Sequence, residues 1–299
     1  MFQEILNNED FTLNRVLTFL RVARAGSMAR AVETEKIPQA QCSREIRDME
    51  RWAGVPLFKK SGRTKVLTDE GRELQRRFSE LLKALCEFRQ QAKEVPRSLA
   101  IGAGGSLLDW WVLPRLNRDG KTNYRLYDQR NSTIREWLNE GRLDFGIISN
   151  EYVRAGFATK PLGILDYALF VPAQLVPKGR VGDISWVLTH VPLATLDENS
   201  TLGERIMKVL SKIEANIRVA VTCQSTPSVA IPVRLRQCAA VLPIGLMPDE
   251  FANGLEKFTH PAFRELSREV VIAWTMSAAA SRPQLESTAD ELFDALRFK

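Results

Sequence analysis

The sequence predicts an α/β protein in three successive parts: a winged helix-turn-helix, a long linker helix, and a domain of alternating strands and helices. Three observations predict it. Residues 19–71 read as two short amphipathic helices followed by a basic loop containing Gly62. Apolar residues then recur at heptad spacing from Leu74 to Val95, and Pro96 ends the run. From Ser98 onward, strand and helix patterns alternate, which argues for parallel sheets with helices on both faces.

Residues 1–12 read as a loose or partly helical leader. Leu13, Val16, Leu17, Leu20 and Val22 recur at helical spacing and predict the first helix. The next helix is expected to start at Ser27, a good N-cap, with Ala29, Ala31 and Val32 small enough for close packing. Another starts near Pro38, whose fixed φ suits a first helical turn. On it Cys42, Ile46 and Met49 make one apolar stripe, and Ala40, Arg44, Arg47 and Arg51 face solvent, flanked by Gln41 and Asp48. Arginine and glutamine on such a face can fork onto guanine and adenine edges in a major groove. An ordinary surface helix has the same pattern. Lys59, Lys60, Arg63 and Lys65 surround Gly62 on the loop, which suits phosphate or minor-groove contact as well as a solvated hairpin.

Thr68 is placed to cap the following helix, with Asp69 and Glu70 in the turn where the helix dipole favours acid. Leu74, Phe78, Leu81, Leu85 and Phe88 form its heptad seam, continued by Ala92 and Val95. One helix cannot bury that seam on itself, so a second copy of the chain or the rest of its own chain must cover it. Beyond it, strands are expected at 99–102, 124–128, 145–149, 168–171, 192–196, 217–221, 239–242 and 270–274. Helices are expected at 107–116, 133–139, 202–210 and 284–298. Residues 226–237 stay unassigned, because Pro232 interrupts them. No internal repeat or low-complexity tract stands out.

Composition narrows the function. The chain has 299 residues, room for two domains or three small ones. No apolar run nears the ~20 residues that span a bilayer, and the first residues carry no secretory signal, so a cytoplasmic protein without membrane contact is expected. Net charge is +6, and residues 1–97 hold 19 Lys and Arg against 14 Asp and Glu. Nearly all of the excess therefore lies in the helix-turn-helix part, where phosphates would meet it. The four cysteines are scattered, and Cys42 and Cys86 lie on apolar helical faces where buried thiols are expected. Two histidines, His190 and His260, leave little for a metal site or for triad chemistry. No metal, no cofactor and no catalysis are therefore expected.

The ordered series Val22-Ala23, Gly26-Ser27, Ala31, Gln39, Ser43, Ile46, Glu50, Gly54, Leu57-Phe58, Leu67-Thr68 and Gly71 resembles the DNA-binding domain of the LysR-type transcriptional regulators. It departs from that pattern at Val32, Glu35, Pro38, Met49 and Lys60. Leu99-Ala100-Ile101-Gly102, Leu113-Pro114 and the run from Glu136 to Ile147 resemble the effector domain of the same regulators, and the likeness thins past Phe170. The resemblance implies two α/β lobes joined by crossing strands around a cleft, as in periplasmic solute-binding proteins, and a dimerising linker helix. It divides the chain into a head at 1–67, a linker at 68–96 and an effector-binding domain at 97–299. Lobe one would take 97–169 and 270–299, and lobe two 170–269, with hinge strands at 168–172 and 269–273.

These readings place double-stranded DNA on Gln39, Ala40, Ser43, Arg44 and Arg47, with Arg63 and Lys65 on the backbone or minor groove. Ligands of open α/β sheets sit at the strand-to-helix turns. Gly105, Ser106, Ser132, Thr133, Ser200, Thr201 and Ser225 stand there, suited to an anion or carboxylate effector, although each can equally cap its own helix. Trp110 and Trp111 are expected in the core. The expected molecule is a homodimer or homotetramer that regulates transcription. A sensory module with a degenerate helix-turn-helix is the rival reading, and an enzyme is a third.

Overall fold

The computed structural model describes residues 10–26, 30–31, 38–61, 64–92, 97–116, 120–248, 251 and 253–298. The expected helix start at Ser27, with Ala29, Val32 and Glu35, lies outside them, as do Gly62, Arg63 and Pro96. Helix α1, Leu13–Ala25, is capped by Thr12, whose hydroxyl accepts from the Arg15 N–H at 3.3 Å. It buries Val16, Phe19, Leu20 and Val22. Helix α2, Gln39–Ala53, begins one residue after Pro38 and packs Cys42, Ile46 and Met49 into the same core.

Strands β1, Phe58–Ser61, and β2, Thr64–Leu67, form an antiparallel hairpin. The Glu50 carboxylate fastens it to α2, accepting from the Leu57 and Phe58 N–H groups at 3.0 and 3.1 Å. Helix α3, Asp69–Ala92, follows, and the Thr68 hydroxyl accepts from the Gly71 N–H at 3.0 Å. A Cβ on Gly71 would stand 2.2 Å from the Leu57 carbonyl oxygen, so only glycine lets α3 start against the hairpin. Phe11, Trp52 and Phe78 stack at centroid distances of 4.7 to 6.0 Å and close the head against α3.

The first sheet of the α/β part has five strands in the order β4-β3-β5-β12-β6. Its members are β3 (Arg97–Ala103), β4 (Thr122–Asp128), β5 (Phe145–Ser149), β6 (Phe157–Leu165) and, from far along the chain, β12 (Arg268–Thr275). The first three are parallel, whereas β12 runs antiparallel to β5 and β6. Strand β6 escaped the sequence reading because Pro161 and Gly163 break its pattern. It pairs on one side only, and a bulge opposite Val270/Val271 absorbs the irregularity. The expected helix at 107–116 is a continuous helical stretch with π-helical winding over Leu108–Val112. Trp110 and Trp111 are buried as expected, and the Trp111 indole donates to the Leu296 carbonyl at 2.6 Å.

The second lobe is built on β7 (Tyr167–Pro172), β8 (Leu193–Leu196), β9 (Val219–Cys223), β10 (Ala240–Pro243) and β11 (Leu255–Phe258). There β10 and β11 flank β7 antiparallel, β8 pairs β9 in parallel, and a bridge from Leu193 to Ala239 joins the two groups. Helix α4 (Asn131–Asn139) belongs to the first lobe. The second carries α5 (Ile184–His190), α6 (Thr201–Ser211) and α7 (Thr226–Arg234), and α8 (Met276–Ser281) and α9 (Gln284–Leu296) return to the first. Residues 226–237 thus begin as a helix, with Pro232 in its last turn. Strand β11 and helix α5 are additions to the sequence reading.

The expected hinge strands at 168–172 and 269–273 are corrected. Strand β7 pairs wholly within the second lobe and β12 wholly within the first. The chain crosses at Asp166 and Ser267, where the Ser267 hydroxyl donates to Asp166 Oδ1 at 2.6 Å. The crossing falls a few residues before the expected division at 169 and 269, because pairing, not hydropathy, decides which sheet a strand joins.

Candidate nucleic-acid interface and ligand cleft

Helix α2 presents Gln39, Ala40, Arg44 and Arg47 exposed and Ser43 half-buried, opposite its apolar stripe. Arg47 Nε donates to the Ser43 carbonyl at 3.2 Å, which holds its guanidinium along the helix. Arg44 makes no ion pair among the described residues. One neighbour differs from expectation. Asp48 is buried and holds Arg15 at 2.9 Å and Arg51 at 3.2 Å, and Arg51 also reaches Asp10 at 2.5 Å. Arg51 faces solvent as expected, 63% exposed, with its guanidinium engaged by those two carboxylates. On the hairpin, exposed Lys60 and Lys65 stand directly opposite one another. Like charges so paired disfavour the hairpin unless an anion sits between them.

The seam on α3 divides. Phe78 is buried and Leu74 half-buried against the head, whereas Leu81, Leu85 and Phe88 are 53, 57 and 71 % exposed. Only the last three offer an apolar face to another molecule. Cys86 lies beside them and is exposed, contrary to the expected buried thiol, because its helical position falls beyond the head's reach; Cys42 is buried as expected.

Between the lobes lies a cleft of about 500 Å3. Of the turn residues singled out, Gly105, Ser106, Ser132, Ser200, Thr201 and Ser225 line it. Thr133 does not. It sits one residue further into α4, about 100° around from Ser132. Two of the hydroxyls are already engaged: Ser200 Oγ accepts from the Gly203 N–H at 3.0 Å, and Ser225 Oγ from the Ser228 N–H at 3.3 Å. These cap α6 and α7 and leave the Thr201, Leu202 and Thr226 N–H groups without an intrahelical partner beside the cleft, Pro227 having none to offer.

Sequence reasoning missed the charged lining, namely Arg130, Arg205 and Arg268 with Asp128 and Glu151. Asp128 ends an expected strand and was open to the same strand-end rule. Arg205, four residues after Thr201, shares its helix face. Nothing in the local pattern marks Arg268, which arrives from the far end of the chain. Its Nε is buried with no acceptor among the described residues. Arg205 lies 3.9 Å from Glu151 and donates to the Glu265 carbonyl at 2.5 Å. Partial burial and the Asp109 charge push the Asp128 pKa up, against the Gly105 N–H that favours its charged form. Three guanidiniums, two capped helix N-termini and two carboxylates can together hold an acid, with a place for an amine beside it.

Comparison with known proteins agrees on both parts of the chain. Residues 13–72 match the bacterial regulatory helix-turn-helix proteins of the lysR family, and residues 92–297 match the LysR substrate binding domain. The HTH-type transcriptional regulator TrpI of Pseudomonas aeruginosa is 37% identical over 111 residues, 36% of this chain and 37% of that protein. A probable RuBisCO transcriptional regulator of Nostoc sp. is 27% identical over 225 residues, 70% of this chain and 65% of that one. These matches thus span between about a third and two thirds of the curated relatives' length. Among solved structures, a full-length OxyR point variant from Pseudomonas aeruginosa has a TM-score of 0.61 at 21% identity, covering 96% of this chain and 95% of that one. Full-length LysG from Corynebacterium glutamicum, with bound effector Arg, has a TM-score of 0.65 at 15% identity, covering 96% and 100%. At those identities the likeness is one of fold.

Proposed function

This chain belongs to the LysR family, and from that premise we propose that it is a DNA-binding transcriptional regulator, a homodimer or homotetramer governed by a small-molecule effector. Residues 1–67 serve as the head, 68–96 as the dimerising linker and 97–299 as the effector-binding domain. Gln39, Ala40, Ser43, Arg44 and Arg47 read base edges, while Lys65 and Arg63 touch the backbone or minor groove. This reading assigns the chain no catalysis.

The observation that carries the proposal is α2 itself. Its polar face is exposed, its back is pinned by three side chains no more than 1% exposed, and it lies inside the matched helix-turn-helix. A rigid helix with free forked donors is what direct readout needs. Arg44→Ala is expected to weaken specific binding about 5- to 150-fold, the ~1–3 kcal/mol of one bidentate base contact, with an unchanged circular dichroism spectrum. A footprint on the gene's own upstream DNA that the variant leaves intact would falsify the assignment. Binding should also fall steeply from low to physiological salt.

The effector is read as a small carboxylate or other anion, seated on Arg268, Arg205 and the N-termini of α6 and α7. The orphan Arg268 Nε supports this, since a buried donor without an acceptor is uncommon in a finished fold. A thermal-shift screen of small carboxylic and amino acids should find a stabiliser whose effect disappears in Arg268→Ala. Stabilisers that are all cationic or uncharged would overturn the anion assignment.

A further inference from the structure

A second cavity, of about 520 Å3, opens where head, linker helix and α/β domain meet. Its floor is a buried quartet of charges. Lys83 and Arg282 lie 2.6 and 2.9 Å from Asp144, and Arg282 lies 2.7 Å from Glu87. Two cations and two carboxylates there compensate one another. The remaining charge on the cavity wall has one sign: Arg24 from the last turn of α1, Arg125 from β4, and Arg142. Arg142 is shared, 3.4 Å from Glu140 and stacked 3.7 Å over the Trp137 ring. Glu140 also feels Arg24. Arg24 and Arg125 make no ion pair among the described residues.

Two residues of this lining each hold a buried polar atom without a partner among the described residues. Arg282 is 2% exposed, yet its Nε has no acceptor there; Ser79 is 4% exposed, yet its hydroxyl has no partner there. Buried donors are rarely left so. A water molecule satisfies such a donor but does not answer the guanidiniums above it. A multiply charged anion answers both.

We propose that this junction is a second ligand site, for a small anion carrying two or more negative charges, of the phosphorylated or polycarboxylate kind. Arg282 Nε–H and the Ser79 hydroxyl donate to it from the floor, and Arg24, Arg125 and Arg142 meet it at the rim. Charge-assisted and forked bonds of this type select such anions over chloride. Because Arg24 belongs to the head and Arg125 and Arg142 to the first lobe, the bound anion ties the two together. The site shares no residue with the cleft between the lobes, so it stands or falls separately from the effector reading.

Calorimetric titration of the full-length protein with inorganic pyrophosphate and with citrate, against chloride at matched ionic strength, tests it. Saturable binding is expected from at least one, the tighter of the two naming the source. Arg125→Ala and Arg24→Ala should each weaken it tenfold or more, whereas Arg268→Ala in the cleft leaves it unchanged. Arg125 is exposed, so its removal spares the fold, and an unshifted melting temperature verifies that. Amide exchange near the end of α1 should slow on binding to the parent protein. No saturable heat from either anion overturns the proposal, as does binding that survives both arginine variants.

Discussion

Asp144 shows how much a single carboxylate can hold. It is 2% exposed, accepts from the Ala100 N–H at 2.7 Å, and is faced by Lys83 and Arg282, residues 61 and 138 positions away in the chain. Burial alone would raise its pKa. The Lys83 and Arg282 charges and the Ala100 N–H outweigh burial and hold the carboxyl below the ordinary range. For Lys83 the balance tips the other way, since burial acts with Arg282 and Arg125 against Asp144 and lowers its pKa. A carboxyl whose folded pKa is depressed stabilises fully above its unfolded pKa of about 4 and loses that contribution as pH falls through the folded value. The melting temperature should therefore drop as pH falls below about 5 and keep dropping until the folded carboxyl is protonated. Asp144→Ala should cost about 3–5 kcal/mol at neutral pH, because it leaves Lys83 and Arg282 with Glu87 as the one carboxylate of the cluster, and should flatten the acid slope. An equally steep slope in the variant would clear Asp144 of that role. Nearby Gly141 has φ +65°, and a Cβ there would stand 2.9 Å from Ser79 Cβ. Gly141→Ala should lose about 1–3 kcal/mol of stability, measured by denaturant titration. The sequence does not mark Asp144, since its partners are distant in the chain and no local spacing announces them.

At the scale of elements, α3 carries three different faces, and only one was legible. Heptad spacing announced an apolar seam, and the residues named for it do lie on one stripe. Spacing does not say what covers a stripe. Leu74 and Phe78 meet the head's own aromatic cluster, while Leu81, Leu85 and Phe88 meet no apolar core among the described residues. The third face, with Glu80, Lys83 and Glu87, bonds to Ser277, Asp144 and Arg282. Nothing in the sequence sets those residues apart from solvent-side charges, because a charge opposite a seam looks the same whether water or protein faces it. Distinct outcomes follow for the two halves of the seam. Phe78→Ala should destabilise the head by about 3–5 kcal/mol and leave assembly intact. Leu85→Glu or Phe88→Glu should leave the fold intact and shift sedimentation toward the monomer, since a carboxylate cannot be buried there unpaired. Unchanged sedimentation in both would remove the exposed half of the seam from the interface.

At the scale of the molecule, long-range connections decide how the parts can move. Alternating patterns located most strands, and the strand at 270–274 does return to the first lobe as expected, but they could not show that β12 lies antiparallel between β5 and β6 or that the crossing falls at Asp166 and Ser267. The cleft was half legible for the same reason: its helix-capping turns are local, whereas Arg268 is delivered by that returning strand. The connections also differ in strength. Linker and first lobe share a buried ionic quartet and the Glu80–Ser277 hydrogen bond at 2.9 Å. The lobes are joined covalently at two crossings, and around an open cleft they meet through the Trp110 and Phe251 rings at 6.3 Å and the looser Arg205–Glu151 pair at 3.9 Å. Closure on a ligand should therefore swing the second lobe and leave the linker fixed to the first. Hydrogen exchange with a stabilising acid bound tests this. Amides at the turns around Ser106, Ser132, Ser200 and Ser225 should slow, while those around Lys83, Asp144 and Arg282 keep their rates. Equal slowing at both places would mean that the linker itself shifts, and the hinge at Asp166 and Ser267 would no longer account for the motion.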